Sequence, residues 1–342
     1  MIVVLKPKPT QDEVNAVVEK VRQLGYEPHI IEGEVRTVVA AVGDEMSNAS
    51  LEALVVLPMV DKVMPVQKRF KLVSRETHPD PTIIKVGDLE IGGDAFHIIA
   101  GPCSVESEEQ MLSTAQAVRE RGGTILRGGA FKPRTSPYDF QGLGEPGLDL
   151  LAQAREHTGL PIITEVLRER DTEKIVKVAD ILQIGARNGM NYALLEVVAM
   201  SGKPIFLKRG LAATVEEWLL AAEYIAKKGN RQIILCERGI RTYETATRNT
   251  LDLSAVAIAK KETSLPVFVD PSHAAGRLDL VSALSKAAIA VGADGLMVEV
   301  HYDPPSALSD IAQQLTPTAF SAFIESISPF IAAAGKKLSV AR

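Results

Sequence analysis

The stretch Phe96-His-Ile-Ile-Ala-Gly-Pro-Cys-Ser104 decides the fold: an apolar run stops abruptly in turn-forming and polar residues, and a helical pattern follows. Seven later segments repeat the arrangement, with apolar runs at 124–126, 161–163, 180–184, 204–207, 232–235, 266–269 and 295–298. Their polar sequels include Arg127-Gly-Gly-Ala-Phe-Lys132-Pro-Arg134-Thr135-Ser136, Thr164-Glu165, Gly185-Ala-Arg187-Asn, Lys208-Arg209-Gly, Cys236-Glu-Arg238-Gly, Asp270-Pro-Ser-His273 and Glu299-Val-His301. Strands buried on both faces read as continuous Val/Ile/Leu runs, and alternation with helices makes them parallel. Eight such units predict an α/β fold, a (β/α)8 TIM barrel whose functional residues gather at the C-terminal strand ends. The charged residues of this chain fall there.

The intervening helices are expected at 106–122, 147–159, 168–178, 191–202, 214–229, 251–263, 278–292 and 317–335, many of them ending on glycine, the usual left-handed C-cap. Residues 1–67 have a different rhythm. A strand at 2–5 leads to a helix from Thr10 through Val14, Val17, Val18 and Val21 to Gly25. Thr10 followed by Glu13 makes a capping box. Strands at 27–31 and 36–42 around a turn at 32–34, a second helix at about 47–57 and a strand at 60–66 complete a βαββαβ, ferredoxin-like unit. One sheet face of such a unit stays open to a ligand or a second subunit; the plainer reading is a stabilising appendage. Residues 68–95 read as a connector, with turn chemistry at Glu76-Thr-His-Pro-Asp-Pro81. Segments 82–86 and 89–91 flank Gly87-Asp88 as a β-hairpin placed to plug the bottom of the barrel, which occupies 96–342.

The 342 residues are 46% hydrophobic and 24% charged, an ordinary globular balance, and suit a barrel plus one small module. A net charge of −5 argues against a general nucleic-acid footprint, so any anionic ligand must be recognised by local Arg and Lys. Two cysteines, Cys103 and Cys236, cannot make a disulfide framework. Met1–Leu5 runs straight into Lys-Pro-Lys-Pro without a signal-peptide pattern, and no apolar run approaches the ~20 residues of a membrane span. The expectation is a cytoplasmic metabolic enzyme with no nucleic-acid or membrane partner.

Arg127, Lys132, Arg134, Arg187, Lys208, Arg209, Arg238 and Arg277 sit at or just after strand ends. On a barrel they converge on one mouth, and buried cations need anions, so the substrate is phosphorylated or multiply anionic. Cys103, His273, Glu299 and His301 follow the first, seventh and eighth strands, with Asp303 and Asp310 in the loop beyond. Closure of the barrel makes these strands neighbours. A thiolate, an imidazole and carboxylates suit a divalent ion such as Mn, Fe, Co or Zn, and without paired Cys-x-x-Cys spacing the site is open and catalytic. Cys236 reads as a core or near-site residue, and His29 and His97 as structural.

Gly101-Pro-Cys-Ser-Val-Glu-Ser107, Lys132-Pro-Arg-Thr-Ser136, Gly185-Ala-Arg-Asn188, Cys236-Glu-Arg-Gly239, Asp270-Pro-Ser-His273 and Ala307-Leu-Ser-Asp310 together resemble 3-deoxy-D-arabino-heptulosonate 7-phosphate (DAHP) synthases of the short type I form with an N-terminal ferredoxin-like module. The resemblance covers nearly the whole chain. It implies a metal-dependent, aldol-like condensation of phosphoenolpyruvate with erythrose 4-phosphate, the first step of the shikimate pathway to aromatic amino acids. It implies metal ligands Cys103, His273, Glu299 and Asp310, choosing Asp310 over Asp303. Phosphoenolpyruvate would meet Arg187, Lys208 and Arg238 through its phosphate, and Arg127 and Lys132 through its carboxylate. Erythrose 4-phosphate would lie against Arg134, Thr135 and Ser136, with Arg277 near its phosphate. Lys132 would deliver a proton and Glu165 would organise the attacking water.

Gly189-Met-Asn191 departs from the Met-Gln-Asn frequent in the family, which touches the placement of Arg187 but not the chemistry. The octulosonate synthases share the fold and first substrate, but carry Asn-Arg-Ser where this chain has Pro133-Arg-Thr-Ser. In relatives the module resembles small-molecule-binding regulatory domains. The resemblance thus implies feedback control by tyrosine or phenylalanine through residues 70–81, a homotetramer, and chorismate mutase as a partner to test.

Overall fold

The computed structural model describes residues 1–33, 36–43, 50–64, 69–134 and 136–340. The chain divides into two compact units, Met1–Arg69 and Phe70–Arg342.

In the first unit, β1 (Ile2–Leu5), α1 (Gln11–Gln23), β2 (Glu27–Glu32), β3 (Thr37–Val42), a 3-10 helix (Leu51–Val56) and β4 (Val60–Met64) follow in order. The strands form an antiparallel sheet ordered β2-β3-β1-β4, the arrangement of a split βαββαβ unit. Thr10 and Glu13 close the capping box at α1, and Val14, Val17, Val18 and Val21 form its buried stripe. The second helix differs from expectation. Its described part is a 3-10 helix capped by Ser50, and its expected start at 47–49 lies outside the described residues.

The second unit opens on residues packed against the barrel. Glu223 accepts backbone N–H groups of Lys71, Leu72 and Val73 at 2.9, 2.9 and 3.1 Å, and Arg75 reaches the carbonyls of Lys260 and Thr263. A hairpin, β5 (Ile84–Val86) and β6 (Leu89–Ile91), follows. The barrel strands are β7 (Ala95–Gly101), β8 (Ile125–Arg127), β9 (Ile162–Glu165), β10 (Ile181–Ile184), β11 (Ile205–Lys208), β12 (Ile233–Glu237), β13 (Val267–Val269) and β14 (Gly295–Glu299). All pair in parallel, and β14 closes on β7 from Gly295 opposite His97 to Glu299 opposite Gly101. The helices are α2 (Glu108–Glu120), α3 (Glu145–Thr158), α4 (Thr172–Val178), α5 (Tyr192–Ala199), α6 (Val215–Lys227), α7 (Leu253–Glu262), α8 (Pro271–Ala275), α9 (Leu278–Ala290) and α10 (Pro317–Ala333). A short β15 (Lys337–Leu338) adds beside β7.

Alternation along each strand divides the core. Ile99, Ile125, Ile163, Phe206, Ile234, Cys236, Phe268 and Met297 pack together inside the barrel with Ile84, Val86 and Ile91 of the hairpin, which therefore plugs it. Their neighbours, such as Ile98, Leu126, Leu182, Leu207, Leu235 and Val298, join the larger cluster with the helices. Cys236 is thus a packing residue. The strands deliver their last residues, and the loops after them, to one rim.

Candidate active site

At that rim the apolar strands give way to buried groups that need partners. Gly101 ends β7 at φ 146°, where a Cβ would lie 2.1 Å from the Arg127 carbonyl oxygen, so glycine alone permits the turn into Cys103. Asp270, just past β13, caps α8 by accepting from the His273 backbone N–H at 3.0 Å. Its Oδ2 also faces the His273 ring at Nδ1, 2.8 Å away. The network assigns the ring proton to Nδ1, donating to this carboxylate. Burial lowers the His273 pKa, so the imidazole is neutral near neutral pH.

The other ring nitrogen then points its lone pair toward those of neighbouring carboxylates. Nε2 lies 3.3 Å from Glu299 Oε1 and 3.6 Å from Asp310 Oδ2, and Cys103 Sγ lies 3.3 Å from that same Asp310 oxygen. One ligand atom from each of Cys103, His273, Glu299 and Asp310 fits within 4.8 Å of the others. Glu299 Oε1 is buried with no hydrogen-bond partner, although Arg127 Nη1 approaches it to 3.0 Å as an ion pair. Converging lone pairs with an orphaned carboxylate oxygen are the environment a divalent cation relieves, and the mix of S, N and O donors fits a transition ion. Burial, with Glu299 next, pushes the Cys103 thiol up to about 12.

Beside this group a cavity of about 240 Å³ is lined by Arg127, Lys132, Arg134, Arg187, Lys208 and Arg238, with Glu165 among its walls. Lys132 Nζ donates to the Cys103 carbonyl at 2.9 Å and approaches Sγ at 3.1 Å, so it joins the cavity to the donor group. Lys208 pairs with Asp270, and Arg134 with Asp139 at 3.4 Å. Arg238 Nη1 is buried without a hydrogen-bond partner, a donor presented to an anion. Gln183 Nε2 donates to Glu165 at 3.1 Å. Arg187 stands in a 3-10 turn (Ala186–Asn188), and Asn191 of the departing tripeptide caps α5 by accepting from Leu194 N–H.

Several sequence expectations are corrected or refined here. Arg209 does not join the ring: it pairs with Glu237 at 3.0 Å and Asp252 at 2.8 Å, because it follows Lys208 directly and points to the opposite side. His301 and Asp303 are not part of the donor group, and the His301 ring turns toward Glu106. Arg277 pairs with Asp279 and lines an adjoining groove that shares Arg134, Arg248 and Asp310 with the cavity. Ser136 accepts from Tyr138 N–H and does not line the cavity; Thr135 lies outside the described residues. Arg248, unforeseen in the sequence, lines the cavity and meets Asp310 Oδ1 at 3.1 Å. It sits in the long loop after β12, eleven residues beyond the strand, where no strand-end signal marks it.

Comparison with known proteins bears on this arrangement. Residues 72–329 match the DAHP synthetase I family, and residues 1–68 match the DAHP synthase ferredoxin-like domain. The chain is 51% identical to phospho-2-dehydro-3-deoxyheptonate aldolase of Thermotoga maritima over 339 residues, covering 99% of this chain and 100% of that protein. A crystal structure of that aldolase (DAHP synthase) superposes with a TM-score of 0.93 at 50% identity, over 99% of both chains. The 2-dehydro-3-deoxyphosphooctonate aldolase of Syntrophotalea carbinolica is 35% identical over 254 residues, covering 69% of this chain and 91% of that protein. The strands, the rim and both segments agree on one assignment: the chain belongs to the DAHP synthetase I family and carries the ferredoxin-like domain of DAHP synthases at its N-terminal end.

Proposed function

We propose that this chain condenses phosphoenolpyruvate with erythrose 4-phosphate in a metal-dependent, aldol-like reaction that releases inorganic phosphate, opening the shikimate pathway. One observation carries the reading: six of the expected cations line a single cavity beside four converging metal-type donors. Arg187, Lys208 and Arg238 take the phosphate of phosphoenolpyruvate, and Arg127 and Lys132 its carboxylate. Arg134, Thr135 and Ser136 hold erythrose 4-phosphate, with Arg277 near its phosphate. Cys103, His273, Glu299 and Asp310 would hold one divalent ion, Mn, Fe, Co or Zn, which supplies Lewis-acid polarisation of the aldehyde oxygen when bound.

The chain's own groups do the remainder. The cations orient phosphoenolpyruvate so that its C3 faces the aldehyde carbon, where the new C–C bond forms. Lys132 gives a proton to the oxygen of that former aldehyde. Glu165 orients the water that adds to the cationic C2 and takes its proton. The resulting hemiketal phosphate then breaks its C2–O bond to phosphate as the C2 hydroxyl becomes a carbonyl, the hydroxyl proton leaving with the inorganic phosphate. Proton transfers of this kind contribute ~10²–10⁴-fold, so fixed positive charge and positioning supply the rest.

Phosphoenolpyruvate consumption measured with erythrose 4-phosphate and with arabinose 5-phosphate, after chelation and after Mn²⁺ is restored, tests the assignment. Turnover is expected only with erythrose 4-phosphate and metal. Turnover with arabinose 5-phosphate alone would move the chain to the octulosonate branch, and full activity after thorough chelation would remove the metal.

We further assign the first unit as an effector-binding regulatory domain of a cytoplasmic homotetramer, with chorismate mutase a partner to test by co-purification. Its support is the open sheet unit and the domain match. Tyrosine or phenylalanine at roughly 1 mM, a concentration near the upper range of ordinary KM values, should lower the rate. An unchanged rate and thermal midpoint would leave the unit a purely structural module.

A further inference from the structure

Glu106, in the loop between β7 and α2, takes no part in the chemistry above, yet its side chain is only 8% exposed and is held by several groups. Its Oε1 accepts the Ser104 hydroxyl at 2.7 Å and the Leu308 backbone N–H at 3.0 Å. Ser104 has one hydroxyl proton, already given to Glu106. The 2.6 Å contact between Ser104 and Ser309 is therefore a donation from Ser309 to Ser104. On the other side, Asp303 N–H donates to His301 Nδ1 at 3.0 Å, which leaves the ring proton on Nε2, facing Glu106 Oε2 at 3.6 Å. One carboxylate thus meets the loop between β14 and α10 at Leu308 and His301 directly, and at Ser309 through Ser104.

These contacts flank two of the four metal-type donors. Ser104 follows Cys103, and Ser309 precedes Asp310. A reciprocal tie runs beside them: Gln314 accepts Cys103 N–H at 3.2 Å and donates to the Ser309 carbonyl at 2.9 Å. Asp310 itself has φ 51°, a left-handed conformation that residues other than glycine adopt sparingly, so its loop needs to be held.

We propose that Glu106 is a positioning residue: by tying the β7–α2 loop to the β14–α10 loop it sets the spacing of Cys103 and Asp310 and so the affinity of the metal site. The inference rests on the metal assignment made under the proposed function. Groups that orient metal ligands typically change affinity ~10–100-fold when removed.

Cobalt(II) titration of the full-length, metal-free protein, read by thiolate-to-cobalt absorption, tests this beside a calorimetric titration with phosphoenolpyruvate. Glu106→Ala should weaken cobalt binding ~10–100-fold while the phosphoenolpyruvate constant moves by no more than about twofold, because Glu106 lines no part of the cavity. Cobalt affinity unchanged, or both constants falling together, overturns the proposal. If that variant does not fold, Glu106→Gln decides, since it keeps an acceptor for Leu308 and Ser104 but loses the charge facing His301. Weakening of about fivefold, on the scale of one net polar interaction, supports the proposal, and an unchanged constant overturns it. A parent protein without the thiolate band, or a band that persists in Cys103→Ser, instead shows that the metal assignment has failed, and the proposal falls with it.

Discussion

Cys103→Ser should lower metal-dependent turnover by at least ~10³-fold, because Lewis-acid stabilisation worth several kcal/mol is lost and each 1.36 kcal/mol is a factor of ten. The substitution removes the one soft donor of the group but keeps the volume and the Lys132 contact to the residue-103 carbonyl. It also changes the pH dependence of metal binding, with a sign fixed by the thiol. In the metal-free protein burial, with Glu299 next, pushes that thiol up to about 12, so it is protonated at neutral pH. The metal binds thiolate, and His273 is already neutral, so binding releases one proton. Affinity therefore rises with pH, about tenfold per unit between pH 7 and 8, where the thiol stays protonated when free and His273 is neutral. In Cys103→Ser this slope should vanish. Turnover within tenfold of the parent at saturating Mn²⁺, or a parent whose metal affinity is flat with pH, would refute the role given to Cys103.

Much of the frame that positions this residue is legible in the sequence, for a physical reason. A strand covered on both faces admits little but apolar residues, so eight short Val/Ile/Leu runs announce a closed parallel barrel, and the polar residue after each run marks the rim. Thr10 and Glu13 announce the start of α1 in the same local way. What escapes is what depends on side-chain direction or on very short elements. Lys208 and Arg209 look equivalent on the page, yet alternation sends one to the cavity and the other to Glu237 and Asp252. The five residues of α8 are too few to show a helical period, although Asp270 followed by Pro271 is an N-cap with proline at the first turn. Arg248 comes from a loop that returns to the mouth only through tertiary packing, and the sequence carries no signal for that return.

Asp270 shows the same limit most sharply, and its substitution carries the second large expected effect. Its sequence position marks a strand end, but its role appears only when Lys208 and His273 are both seen on its carboxylate. It is fully buried, accepting His273 Nδ1–H at 2.8 Å, the His273 backbone N–H at 3.0 Å, and the Lys208 ammonium. Asparagine has one acceptor oxygen for these three donors. If that oxygen keeps the ring and the ammonium, the amide NH₂ faces the cap and α8 loses its start. If it keeps the cap, the NH₂ faces Nδ1 and drives the ring proton to Nε2, where it blocks the lone pair offered to a cation, while Lys208 is left buried without a counter-charge. Either orientation leaves a buried donor unsatisfied at about 1–3 kcal/mol, and more for the ammonium. Asp270→Asn should therefore weaken metal binding ~10–100-fold and cut turnover at subsaturating metal by at least as much. The informative comparison is the metal dissociation constant against the KM for phosphoenolpyruvate. A larger change in the metal constant places the main effect on the His273 tautomer, and a larger rise in KM places it on Lys208. Neither constant moving, with turnover intact, would mean that the buried carboxylate serves neither residue.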